Sequence, residues 1–219
     1  ISTGIATNQL STTSGTYRLK VSDHAVKYGQ QYTAWDDLLK KIYDGDAVKI
    51  VCLGDSITFG EGVTAGVEDY PTRLKEILDV AYRNNNVTIV NKGVGGNTTF
   101  NMIDRFATDV IAENPDGVIL MAGMNDIKTS FIPPEIYGAN IEDLFRLCFD
   151  NNYALLSLDI TPRWRTNNDG YQWQDQYRNA LRGVVKSFNV RFVDLFEKLS
   201  NLSNSKNGFA TTDITYDGV

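Results

Sequence analysis

Between residues 47 and 193 the sequence alternates short runs of β-branched and apolar residues with longer amphipathic stretches, and no other feature limits the fold as tightly. Such alternation is the pattern of βαβ units, which assemble a parallel sheet. Five runs read as strands, at 47–53, 87–91, 117–121, 153–158 and 190–193, each apolar on both faces and so suited to a sheet covered on both sides. Helical periodicity fills the gaps at 70–83, where Pro71 suits a first turn, and at 99–112, 134–150 and 173–187. Right-handed crossovers would place helices on both faces. The expected class is therefore α/β, a three-layer α/β/α sandwich around a five-stranded parallel sheet.

Residues 1–45 follow a different pattern. A Ser/Thr/Gly-rich start leads to a strand-like stretch at 16–21 and an apolar helical pattern around Trp35, Leu38, Leu39 and Ile42. The segment reads as an N-terminal extension packing on a main domain of residues 46–219. With 42% hydrophobic and 11% aromatic residues the chain can bury a full core. A net charge of −6 argues against nucleic acid as partner, because that affinity rests on Lys and Arg neutralising phosphates. Two cysteines and one histidine support neither a disulfide framework nor a zinc site, so no metal and no cofactor are expected. No apolar run approaches the roughly 20 residues of a membrane-spanning helix. The start has neither the basic nor the apolar segment of a signal peptide, and without Met it reads as a piece of something longer. A secreted enzyme or a phage tail protein would suit it, which gives an extracellular or virion-surface expectation. Oligomeric state is not legible.

In an open parallel sheet, ligands bind beyond the carboxyl ends of the strands. Strand one runs into Gly54-Asp55-Ser56-Ile57-Thr58, strand two into Gly93-Val94-Gly95-Gly96-Asn97-Thr98, and strand three into Ala122-Gly123-Met124-Asn125-Asp126. Three strands thus deliver small or hydrogen-bonding residues to one edge. Acyl transfer needs this combination: a hydroxyl nucleophile and donors aimed where charge develops on the carbonyl oxygen. Ser56 supplies the hydroxyl. Its own backbone N–H, the N–H of Gly96 and the side-chain amide of Asn125 are the candidate donors.

These motifs resemble the first three sequence blocks of the SGNH (GDSL-like) hydrolase family, with Ser56, Gly96 and Asn125 matching its S, G and N. The resemblance covers about residues 46–219 and implies a flavodoxin-like domain and a serine esterase. The family pattern continues with Asp-x-x-His, in which the His is the general base and the Asp orients it. Asp217 matches that Asp, and the matching His would follow Val219. An unassisted serine hydroxyl is a weak nucleophile, so the expectation is that the natural chain continues and that the sequence as it stands binds esters with little turnover. His24, the one histidine present, lies far from any strand end, and no spacing brings it to Ser56.

Plainer roles exist for each residue. Ser56 could be a helix N-cap, Gly93, Gly95 and Gly96 a tight turn, Asn125 and Asp126 a cap, and Asp217 an Asp-Gly turn. Only their joint order lifts them. Asp126 reads as structural, and Asp55 as a brace for its loop. Asp55, Asn97 and Trp164 are the candidate substrate contacts. Trp164 sits in a long connection with Arg163, Arg165, Tyr171 and Trp173, where aromatic faces could stack on sugar rings or simply close the core. The expected substrate is an acylated small molecule or glycan, with O-acetyl groups on a carbohydrate favoured. The rivals are a catalytically silent carbohydrate-binding module, a lipid esterase, a thioesterase and an acyltransferase, since the motifs leave the alcohol unspecified.

Overall fold

The apolar runs form five parallel strands, β1 (Val48–Gly54), β2 (Val87–Gly93), β3 (Gly117–Met121), β4 (Ala154–Leu158) and β5 (Arg191–Val193), in the spatial order β2-β1-β3-β4-β5. The computed structural model describes residues 11–12, 15–16, 31–83, 85–128, 132–162 and 173–205. Residues 11–12 and 15–16 pair as a minimal antiparallel ladder, and the remainder of the strand-like stretch at 16–21 lies outside the described residues.

Around the sheet lie α1 (Gln31–Asp44), α2 (Ser56–Phe59), α3 (Tyr70–Tyr82), α4 (Thr99–Asp104), α5 (Phe106–Asp109), α6 (Met124–Lys128), α7 (Pro134–Asp150), α8 (Gln174–Phe188) and α9 (Leu195–Ser205). Side chains of β1 alternate between two cores, as the strand's two-residue period demands. Ile50 and Cys52 join Trp35, Leu38 and Ile42 of α1 and Leu78 of α3 on one face. Val51 and Leu53 join Met102, Phe106, Phe145 and Leu181, from α4, α5, α7 and α8, on the other. This is a three-layer α/β/α sandwich with the flavodoxin strand order.

Two differences from expectation have physical causes. The helix expected over 99–112 breaks at Arg105 (φ −97°, ψ 4°) and ends in the single 3-10 turn Ile111–Glu113. Arg105 leaves the helical path while its side chain reaches back to the sheet. Helix α9 was not anticipated, although Asp194 accepts from the Glu197 N–H at 2.8 Å and so caps it in the usual way.

The strand order matters for function. The chain leaves β1 for β2 on one side and returns to place β3 on the other, and at such a reversal of strand order open α/β sheets bind ligands beyond the carboxyl ends of the strands.

Candidate active site

Gly54 ends β1 and pairs in register with Gly93 of β2 and with Met121 of β3. Helix α2 begins two residues later at Ser56, capped by Asp55, whose carboxylate accepts from the Ile57 N–H at 2.9 Å. The turn lies directly on the end of β2. A Cβ on Gly93 would stand 2.0 Å from the Phe59 nitrogen, so only glycine lets the turn sit there. Asn91 fastens the same junction, donating to the Thr58 carbonyl at 2.8 Å and accepting from the Gly93 N–H at 2.9 Å.

Beyond β2 the chain folds back through Gly96 at φ +76°, a left-handed conformation that glycine adopts without strain. A Cβ there would meet open space, so the requirement is conformational. The loop is tied to both neighbouring strand ends. The Val94 N–H donates to the Gly54 carbonyl at 3.1 Å, and Asn125 Nδ2, from α6 after β3, donates to the Asn97 carbonyl at 3.0 Å. Ser56, Gly96 and Asn125 are thereby linked through Gly54 and Asn97. Among the described residues, the Ser56 hydroxyl and the backbone N–H groups of Ser56 and Gly96 have no hydrogen-bond partner. The amide of Asn125 carries two N–H groups and spends one on Asn97.

Arg105, which motif reading passed over, and Asp126, read there as structural, hold this edge together. Arg105 donates from Nη2 to the Gly54 carbonyl at 2.8 Å, from Nη1 to the Lys92 carbonyl at 2.9 Å and from Nε to Asn97 Oδ1 at 2.7 Å, with Asp109 as its ion partner. Asp126, fully buried, accepts from the Thr99 N–H and hydroxyl, and Asn140 donates to that hydroxyl at 2.9 Å. The start of α4 is so pinned to α6. A basic residue after an apolar helical turn gives no local hint of acceptors 51 residues away, as the Gly54 carbonyl is.

Electrostatically the edge holds buried acid. Asp55 is 1% exposed and burial pushes its carboxyl up to about 6, with the Ile57 N–H pulling the other way and Asp126 adding to the rise. Burial likewise raises Asp126, opposed by its bonds from Thr99. The Cys52 thiol, beneath the turn, is pushed up to about 12 by burial and is no nucleophile at neutral pH.

Of the residues expected at the site, Ser56, Gly96, Asn125, Asp55 and Asn97 fall on this edge. Asp55 faces the protein, with its carboxylate engaged in the cap, and the Asn97 side chain is held by Arg105. Asp217, Trp164 and His24 lie outside the described residues. Trp173, in the same connection as Trp164, is 44% exposed. Among the described residues no group of three His, Cys, Asp or Glu side chains could hold a metal ion, and no helix is long and apolar enough to cross a membrane.

Comparison with known proteins joins these observations. Residues 52–214 match the model of the GDSL-like Lipase/Acylhydrolase family. An acetylxylan esterase of Geobacillus stearothermophilus is 28% identical over 168 residues, covering 68% of this chain and 77% of that protein. An arylesterase of Vibrio mimicus is 24% identical over 150 residues, covering 68% and 70%. The fold is similar to that of a lipase/acylhydrolase from Enterococcus faecalis (TM-score 0.61, 22% identity, 70% of this chain and 79% of that one). It is also similar to a catalytic mutant of an acetylxylan esterase from Geobacillus stearothermophilus (TM-score 0.61, 23% identity, 74% and 82%).

Proposed function

Because the chain belongs to the GDSL-like lipase/acylhydrolase family, whose members of this SGNH type are carboxylic ester hydrolases, we propose that it removes small acyl groups, O-acetyl groups of a carbohydrate foremost, through an acyl intermediate on Ser56. The observation that carries the proposal is the convergence of a half-exposed serine hydroxyl with unpaired N–H donors from the ends of β1, β2 and β3.

In the proposed reaction Ser56 Oγ attacks the ester carbonyl carbon as a base takes its proton. The carbonyl π pair moves onto oxygen, where the N–H groups of Ser56 and Gly96 and the second Asn125 N–H receive it. Collapse breaks the bond to the alcohol, which leaves with the proton returned by the base. Water, activated by the same base, then releases the acid and restores Ser56. In the family pattern that base is a histidine oriented by an Asp, and Asp217 matches the Asp. Asp55 and Asn97 then serve by position, as cap and as loop anchor.

The carbohydrate ester reading draws on the acetylxylan esterase relative and on the exposed Trp173 near the sheet's carboxyl edge, an aromatic face suited to a sugar ring. The Vibrio mimicus arylesterase favours a second reading, a small aryl ester. Acetate release from acetylated xylo-oligosaccharides and from phenyl acetate separates the two. Preference by kcat/KM for the oligosaccharide supports the first, and preference for the aryl ester supports the second. Release from neither substrate would overturn both.

A further inference from the structure

The expected long helix over 99–112 is first interrupted at Arg105, and that residue's side chain crosses to the site. Arg105 is 15% exposed at its side chain and uses three different nitrogens on three different pieces of the edge: the last carbonyl of β1, the Lys92 carbonyl near the end of β2, and the Asn97 side chain in the loop after β2. Asp109, one turn on, pairs with the same Nη1 that reaches the Lys92 carbonyl. The acceptors are backbone carbonyls and an amide oxygen, so charge balance alone does not explain the arrangement.

We propose that Arg105 is the positioning residue of the ester-cleaving site, a rigid brace that sets the distance between the Ser56 turn and the Gly96 N–H. The inference rests on the reading that Ser56 attacks and that Gly96 receives the oxyanion. The Gly54 carbonyl lies two residues before Ser56, and Asn97 directly follows Gly96. Fixing both to one planar group leaves the two N–H donors little freedom to drift apart. Asn97 is held at three points, its Oδ1 by Arg105, its carbonyl by Asn125 and its N–H by the Val94 carbonyl at 3.2 Å, so the Gly95–Gly96 turn hangs from a fixed frame. The guanidinium suits this role because its donors are fixed in a fork, whereas a lysine ammonium is a single point on a flexible stem and cannot span three acceptors.

The geometry separates binding from chemistry. Arg105 touches strand ends and loop, and its loss should misplace the donors that act on the developing oxyanion more than any group that holds the substrate's alcohol. A misplacement of about 1 Å at such a site costs on the order of 100-fold in rate.

The test uses full-length protein and the variants Arg105→Lys and Arg105→Met. Arg105→Lys keeps the charge and most of the volume, so it serves even where Arg105→Met folds poorly. With phenyl acetate, Arg105→Lys is expected to lower kcat by about 10-fold to 100-fold with KM changed less than about threefold, and to weaken a boronic acid that forms a tetrahedral adduct on serine by the same factor as kcat/KM. Equal kcat per folded molecule in wild type and Arg105→Lys would overturn the proposal. A second readout does not depend on turnover. Amide hydrogen exchange at Val94 and Asn97 is expected to accelerate at least about 10-fold in Arg105→Lys while that of β3 stays unchanged. Unchanged exchange in that loop would also overturn the brace. If wild type itself cleaves no ester, the functional reading fails, and the exchange result still decides whether Arg105 braces the loop.

Discussion

The carboxyl edge of this sheet has two halves built on opposite principles. On the β1, β2 and β3 side, the loops carry glycine, asparagine and a serine turn, and their frame leaves backbone N–H groups unpaired. On the β4 and β5 side, two carboxylates and two guanidinium groups pair with one another. Asp159, fully buried after β4, pairs with Arg178 at 3.0 Å, and burial pushes its carboxyl up to about 6 against the pull of that guanidinium. Arg178 also meets Asp194 at 3.4 Å and lies 3.7 Å over the Phe196 ring, while Arg182 pairs with Asp194. A cavity of about 660 Å³ opens on this side, lined by Arg182, Val185, Phe192, Asp194 and Lys198 among others, and among the described residues no hydroxyl lines it. Paired charges fasten α8 to the ends of β4 and β5. The unpaired N–H groups of the other half are available to a substrate.

Substitutions sort by half if this contrast is right. The largest effect is expected at Ser56: Ser56→Ala should lower ester turnover by roughly 1000-fold or more, while its melting temperature stays near wild type because the hydroxyl has no partner to lose among the described residues. Next is Arg178→Met, which takes from buried Asp159 its hydrogen-bonded guanidinium and leaves it only Arg182, 3.8 Å away. Chemical denaturation should show a loss of about 3–5 kcal/mol, with kcat per folded molecule retained. A large fall in kcat at constant stability would erase the distinction between the halves.

Asn125→Ala removes a donor and the tie to Asn97, and steady-state kinetics should show kcat reduced about 100-fold with KM little changed. A rise in KM alone would place Asn125 in substrate binding.

Last is a pH effect at Asp55. Its carboxyl titrates near 6 in the folded protein and near 3.8 when exposed, so the folded state holds the proton more tightly between those values. Stability from this group is full below pH 4 and is lost as pH rises through 6, a fall of about 3 kcal/mol. Asp55→Asn can still accept from the Ile57 N–H and cannot ionise. Melting curves from pH 4 to 7.5 should show the variant gaining on wild type as pH rises, and parallel curves would contradict the assignment.

Much of this was legible in sequence because the sheet is parallel and buried. Strands covered on both faces read as continuous apolar runs, so all five were found with starts within one residue, and β3 and α7 matched their expected bounds. The Ser56, Gly96 and Asn125 motifs were visible because each follows a strand directly. Arg105 was not, since its acceptors come from distant strand ends and the interrupted helix it causes has ordinary helical periodicity on either side. Helix α9 did carry a local signal, the capping Asp194 followed three residues later by Glu197, that apolar periodicity alone does not weigh.

Covalent trapping of the nucleophile tests the central claim most directly. Protein treated with a fluorophosphonate should gain one adduct by intact mass, located to the peptide bearing Ser56 and absent from Ser56→Ala. An adduct on another residue, or ester hydrolysis that continues with Ser56 unmodified, would contradict the account.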